Sequence, residues 1–452
     1  MFAYPLYPIR LILLWLALLG TCRQPTCAQS PAPSLSGLQV AISWANISLE
    51  VIRSSPNNSP TYSSRSLAYL GLGMYESVVH SNRTYRSMAG QLSGLTALPL
   101  PDTSQRYNWA IVLNATQASL LYKLYPHAYR ITLQRIDSLQ RANLNRLMAT
   151  EQTDVGERSV MYGWALADAL FNWSKTDGGH EGFARNFESA YVLPVGEGYW
   201  VAPAGGQSAV RLPLHPTWGR NRPFVPANGA LPIPPQLPHS TDTLSANYRA
   251  FRAVYEKNRT LTPDEKAIAI WWADDPSQTA APPGHSYNVA TTVIRAAGAD
   301  LVRAAETYAR VGMAVADAFI NCWRCKYVYH RERPSTFISA HIQTGWQSFW
   351  PEPPFPAFSS GHSTQAAATA TVLTALYGDR FAFTDSTHCG RATEPITGLS
   401  YHPRRYGTFW QMATECADSR FYGGIHTAYD NQVGLAEGRS IGARVNALIW
   451  CR

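Results

Sequence analysis

The chain has 452 residues, 46% hydrophobic, 12% aromatic and only 15% charged, which excludes intrinsic disorder and collagen-like repeats and supplies a large buried core. Its 38 basic and 30 acidic residues give a net charge of +8, with the basic side chains scattered among acids and aromatics. The dense basic stripe of a nucleic-acid binder is missing, so a small anion is a better partner than a polyanion.

Residues 1–28 read as an export signal: Arg10 supplies the positive region, residues 11–19 a short apolar run, and residues 26–28 small side chains before a cut. The run is about half of the ~20 residues needed to cross a bilayer, so no stable span is expected after cleavage, and the mature protein is expected to be periplasmic or extracellular. A lipid-anchored variant rests on Cys22, where the preceding threonine fits poorly. Losing Arg10 and Arg23 leaves a net charge of about +6. Cys322, Cys325, Cys389, Cys416 and Cys451 remain, enough for up to two disulfides in an exported protein.

Apolar residues at three- and four-residue spacing predict helices over 65–81, 108–125, 128–150 and 157–175. From 177 to 240 the periodicity stops and prolines and glycines crowd in around Tyr199, Trp200, Trp218 and Phe224. This describes an ordered loop, acting either as a lid or pocket wall or as packing across the surface. Helices resume over 245–257, and Thr262, Pro263 and Glu265 give an N-cap, a first-turn proline and a capping-box partner before the run 267–272. Further helices are predicted over 299–320, 363–376, 408–418 and 426–449, and strand-like alternation is scarce. The expected fold class is all-α: a helical region over 29–240, ending in the 177–240 loop segment, then a C-terminal helical bundle over 241–452 that carries the active site.

Lysine is rare here: Lys123, Lys175, Lys257, Lys266 and Lys326 are the only five. Lys326 stands seven residues before Arg333, two helical turns, so both cations can share a face if helix persists to Pro334. Ser360, Gly361 and His362 end a Pro-rich loop at a predicted helix N-terminus, where N–H groups, a hydroxyl and an imidazole can gather around an oxyanion. Arg420 brings another guanidinium. His426 lies four residues before Asp430, which can accept its Nδ1 proton and leave Nε2 free to bind or attack.

In this order and spacing the fragments resemble the signature Lys-x6-Arg-Pro, Pro-Ser-Gly-His, Ser-Arg-x5-His-x3-Asp of the vanadium-dependent haloperoxidase and type 2 phosphatidic acid phosphatase superfamily. Only Ser359 departs, standing where that family usually has proline. The resemblance implies that Lys326, Arg333, Arg420, Ser360 and the Gly361 amide hold vanadate, or phosphate in the same place. It makes His426 the axial ligand oriented by Asp430, and His362 the acid–base residue; haem is not implied. Trp323 and Phe355 stand where chloroperoxidase-like members line the halide side, and Asp275 falls where an aspartate pairs with an active-site arginine. These features favour a haloperoxidase, using hydrogen peroxide to oxidise halide to hypohalous acid. The alternative is a secreted acid phosphatase working through a phosphohistidine on His426, and a non-catalytic oxyanion binder is a third reading. An organic substrate under the 177–240 segment and the oligomeric state stay open. His285, in a second Pro-Gly-His, reads as structural.

Overall fold

The computed structural model describes residues 36–451 apart from 204 and 396, so the proposed export signal lies outside the described residues. The described residues hold fourteen α-helices and a single two-stranded antiparallel ribbon, confirming the all-α class. No described helix is long and apolar enough to cross a membrane. All five cysteines of the described chain are free thiols.

The first five helices are α1 (Gly37–Ser54), α2 (Pro60–Val78), α3 (Trp109–Leu124), α4 (Arg130–Met148) and α5 (Thr153–Ser174). α1 escapes the sequence reading although Ser36 and Gln39 form a capping box at its start. α2 is buried on every side, the mark of a central helix rather than an amphipathic surface one. The 177–240 segment contains only short helical turns, including α6 (Pro226–Gly229). It is fastened where it starts and near its end by buried carboxylates. Asp177 accepts from Arg65 Nε at 2.7 Å, and Asp317 accepts from the Phe224 and Val225 amides at 2.7 and 3.1 Å.

The second half contributes α7 (Ala246–Asn258), α8 (Pro263–Trp271), α9 (Ala281–Ala296), α10 (Leu301–Tyr329) and α11 (Pro334–His341). α12 (Gly361–Tyr377), β1 (Phe383–Asp385), β2 (Arg404–Tyr406), α13 (Phe409–Tyr422) and α14 (Ala428–Asn446) complete it. The predicted capping box at Thr262 and Glu265 is present, and β1 pairs β2 with Phe383 opposite Tyr406. α9 is a helix the sequence reading lacks: its two prolines sit in the first turn, where no intrahelical donor is lost. α10, almost wholly buried, packs along α2, so helices from both halves of the chain share one core.

One close approach sets the active end of the molecule. Gly434, Gly438 and Gly442 recur at one-turn spacing on α14 against α12, and a Cβ on Gly438 would lie 2.0 Å from the Thr364 carbonyl oxygen. Only glycine admits this contact, and it brings the N-terminal ends of α12 and α14 together.

Candidate active site

Four elements converge where the motifs meet. α10 delivers Trp323 and Lys326 and stops at Tyr329, with His330 in the left-handed region at φ 49°. The condition that helix persists to Pro334 is not met: Arg333 is the extended N-cap of α11, at φ −87° and ψ 160°. A residue preceding proline is disfavoured in the α region, which accounts for the extended Arg333. Lys326 and Arg333 still meet, because the chain turns back.

Ser360 is the N-cap of α12, its Oγ accepting from the Ser363 amide at 3.5 Å, so Gly361 and His362 open a helix whose first N–H groups have no intrahelical acceptor. Thr427 and Asp430 form the capping box of α14, and Asp430 Oδ2 accepts from the Thr427 amide at 3.0 Å while facing His426 Nδ1 at 3.3 Å. Arg333 Nη1 donates toward His426 Nε2 at 3.2 Å, which makes Nε2 the lone-pair nitrogen and Nδ1 the protonated one. Burial, reinforced by the Arg333 charge, holds the His426 pKa well below the usual histidine range, so the ring is neutral near pH 7. His362 is likewise held low, by burial and then by Arg420.

The motifs are stitched to one another through the backbone. Lys326 Nζ donates to the carbonyls of Pro356, Ala357 and Ser359 at 2.8, 2.8 and 2.7 Å. Arg333 donates to the Phe355 and Ile425 carbonyls, the Ser360 amide donates to the Asp430 carbonyl, and Arg420 Nη1 donates to the Trp272 carbonyl. All three cations are buried. Burial lowers the Lys326 pKa to about 8 and the Arg333 pKa to about 10. Lys326 is thus the clamp of the 356–359 loop as well as a source of positive field, a role the spacing argument did not reveal.

A cavity of about 460 Å³ opens onto this cluster, reaching Gly361, His362, Arg420 and His426, with Trp323 and Phe355 on its wall. The two rings pack at 4.9 Å between centroids. The 177–240 segment lines the outer part of the same cavity through Asn186, Phe187, Gln207 and Leu214. Asp275 is also on the wall, where it accepts from Gln207 Nε2 at 2.8 Å and burial raises its pKa to about 6 against the pull of Arg420. No ion pair within 4 Å joins it to Arg420 among the described residues. Phe187, Leu214 and Phe319 complete the apolar wall from remote positions and carried no local motif that could have announced them.

His362 Nε2, Arg420 Nε and Asp430 Oδ1 are buried without a hydrogen-bond partner. An unpaired Arg420 N–H and an unpaired His362 ring nitrogen share the cavity with the His426 lone pair and, backed by two further buried cations, fit a tetrahedral or five-coordinate oxyanion such as vanadate. The fold and site together define an oxyanion-binding enzyme of the all-helical class.

A family model described as the VCPO second helical-bundle domain matches residues 306–449, which contain the whole constellation. The structure is similar to a bacterial vanadium-dependent iodoperoxidase at TM-score 0.80 and 30% identity, over 92% of this chain and 97% of that one. It shares its fold with a bacterial vanadium-dependent chloroperoxidase, in holo form at TM-score 0.65 and 17% identity over 93% of this chain and 94% of that one. The apo form gives 0.66 and 15%, over 93% and 95%. No curated protein matches the sequence. The chain belongs to the vanadium-dependent haloperoxidase family.

Proposed function

We propose that the protein is an exported vanadate-dependent haloperoxidase that converts hydrogen peroxide, halide and a proton into hypohalous acid and water. The observation that carries this reading is the single cavity in which the His426 lone pair, the unpartnered His362 and Arg420 nitrogens and the Trp323–Phe355 wall face the same space.

Vanadate, when bound, supplies the Lewis-acid centre at which peroxide is activated toward halide. His426 would hold it through Nε2, which Asp430 keeps free by holding the ring proton on Nδ1. Arg420, Arg333 and Lys326 would balance the anion's charge, with Ser360 and the Gly361 amide as further donors. His362, neutral near pH 7, takes the proton from incoming hydrogen peroxide at Nε2 and returns it later. Trp323 and Phe355 disfavour bulk water and accept a weakly hydrated halide. Phosphate fits the same donors, and Asp275 tunes Arg420 from across the cavity.

Anion-stripped protein should oxidise bromide or iodide with hydrogen peroxide only after orthovanadate is added. Hydrolysis of p-nitrophenyl phosphate by the stripped protein, blocked by vanadate and with no halide oxidation under any condition, would make it a phosphatase instead.

A further inference from the structure

Next to Asp275, and reaching the same cavity through Asp274, lies a second group of buried ionisable residues that halide oxidation does not use: Asp274 after α8, His285 on α9, Asp385 at the end of β1 and His388 just beyond it. His285 Nδ1 is 2.8 Å from Asp274 Oδ2, and its Nε2 is 2.7 Å from Asp385 Oδ2. Asp385 is itself fixed by the Trp271 Nε1–H at 3.0 Å and by the Thr387 amide and hydroxyl at 3.0 and 2.5 Å. The Trp272 ring stacks on the His285 imidazole at 4.3 Å. His388 Nε2 and Asp274 Oδ1 lie 3.0 Å apart as an ion-pair contact, and neither atom has a further hydrogen-bond partner. One ligand-type atom from each of Asp274, His285 and His388 lies within 4.8 Å of the others.

We propose that Asp274, His285 and His388 form a divalent zinc site, separate from the oxyanion cage, that pins the turn between α8 and α9 to the segment after β1. Two imidazoles and a carboxylate are a zinc donor set, whereas calcium and magnesium call for oxygen ligands. The outer shell is already built: Asp385 holds the His285 Nε2 proton, the carboxylate–histidine–metal arrangement that orients a ligating ring and raises its basicity. His285 then ligates through Nδ1, His388 through Nε2 and Asp274 through its carboxylate. A cavity of about 500 Å³ lined by these residues with Asn288 and Thr387 gives water access to a fourth position. The dication balances the two buried carboxylates, Asp274 and Asp385. In the metal-free chain a proton between His285 Nδ1 and Asp274 does part of that work, and zinc displaces it. Loading also puts the His388 proton on Nδ1, facing Arg391 Nη1 at 3.5 Å, so the partly exposed Arg391 must swing outward.

The test titrates the chelator-treated full chain with zinc chloride against a chromophoric zinc chelator and follows the unfolding midpoint. The expected result is one zinc per chain and a midpoint that climbs with free zinc. Both should persist with orthovanadate bound and in His426→Ala. His388→Ala and His285→Gln should each weaken binding by about a hundredfold or more, and Asp385→Asn by about tenfold. Absence of stoichiometric binding, binding unchanged in His388→Ala, or binding lost in His426→Ala would overturn the site. If the variants fail to fold, anomalous scattering from a zinc-soaked wild-type crystal decides: a peak among Asp274, His285 and His388 supports the site, and no peak there refutes it.

Discussion

The three cations of the cage are unequal. Lys326 caps three carbonyls, whereas Arg420 donates to one and keeps Nε unpaired. Removing Lys326 strands several buried acceptors at about 1–3 kcal/mol each, while removing Arg420 strands one. Lys326→Met should therefore lower both urea stability, by at least about 3 kcal/mol, and orthovanadate affinity. Arg420→Met should lower affinity as strongly while costing only about 1–2 kcal/mol in stability. Equal stability losses in the two unfolding curves would contradict this division. Asp430→Asn keeps an oxygen for the Thr427 amide but no longer anchors the His426 Nδ1 proton as an anion. It should weaken orthovanadate binding by about 10–100-fold with little change in unfolding. That His426, Asp430, Arg333 and His362 would be brought together was legible in the sequence, because each belongs to a short motif and the motifs meet at one cavity. The clamp role of Lys326 was not, since it depends on where the 356–359 loop returns.

Among elements, the α12–α14 crossing does the positioning. Gly438→Ala would drive a Cβ into the Thr364 carbonyl region, forcing the helices apart at a cost of about 1–3 kcal/mol and separating Ser360 from Asp430. Thermal unfolding and vanadate affinity should fall together; an unchanged affinity would mean that the crossing does not set the cage. The 177–240 segment depends in the same way on Asp317, whose two oxygens take the Phe224 and Val225 amides and the Asn228 side chain. Asp317→Asn turns one acceptor into a donor against these N–H groups. It should destabilise the fold by about 2–3 kcal/mol and expose the segment to limited proteolysis. Helix periodicity announced most of the elements. It missed α1, α11 and α9, the last because its opening Pro-Pro-Gly reads as a breaker, and α10 runs past its expected end at residue 320 to Tyr329.

Across the whole molecule, burial of charge shapes the response to pH. Glu76 is buried on α2, and burial raises its pKa to about 7 despite hydrogen bonds from the Met88 amide and the Ser87 hydroxyl. The folded state therefore holds a proton that the unfolded chain has released between pH ~4.5 and ~7, so this group's contribution to stability falls as pH rises through that window and is flat above it. The loss amounts to roughly 3 kcal/mol, and Glu76→Gln should remove that slope from the pH dependence of urea unfolding. The central claim concerns the oxyanion, and a crystal structure of the protein soaked in orthovanadate tests it most directly. Density joined to His426 Nε2 and ringed by Arg333, Arg420 and the α12 N-terminus is the predicted result. Vanadate bound elsewhere in the cavity, with His426 Nε2 still paired only to Arg333, would contradict it.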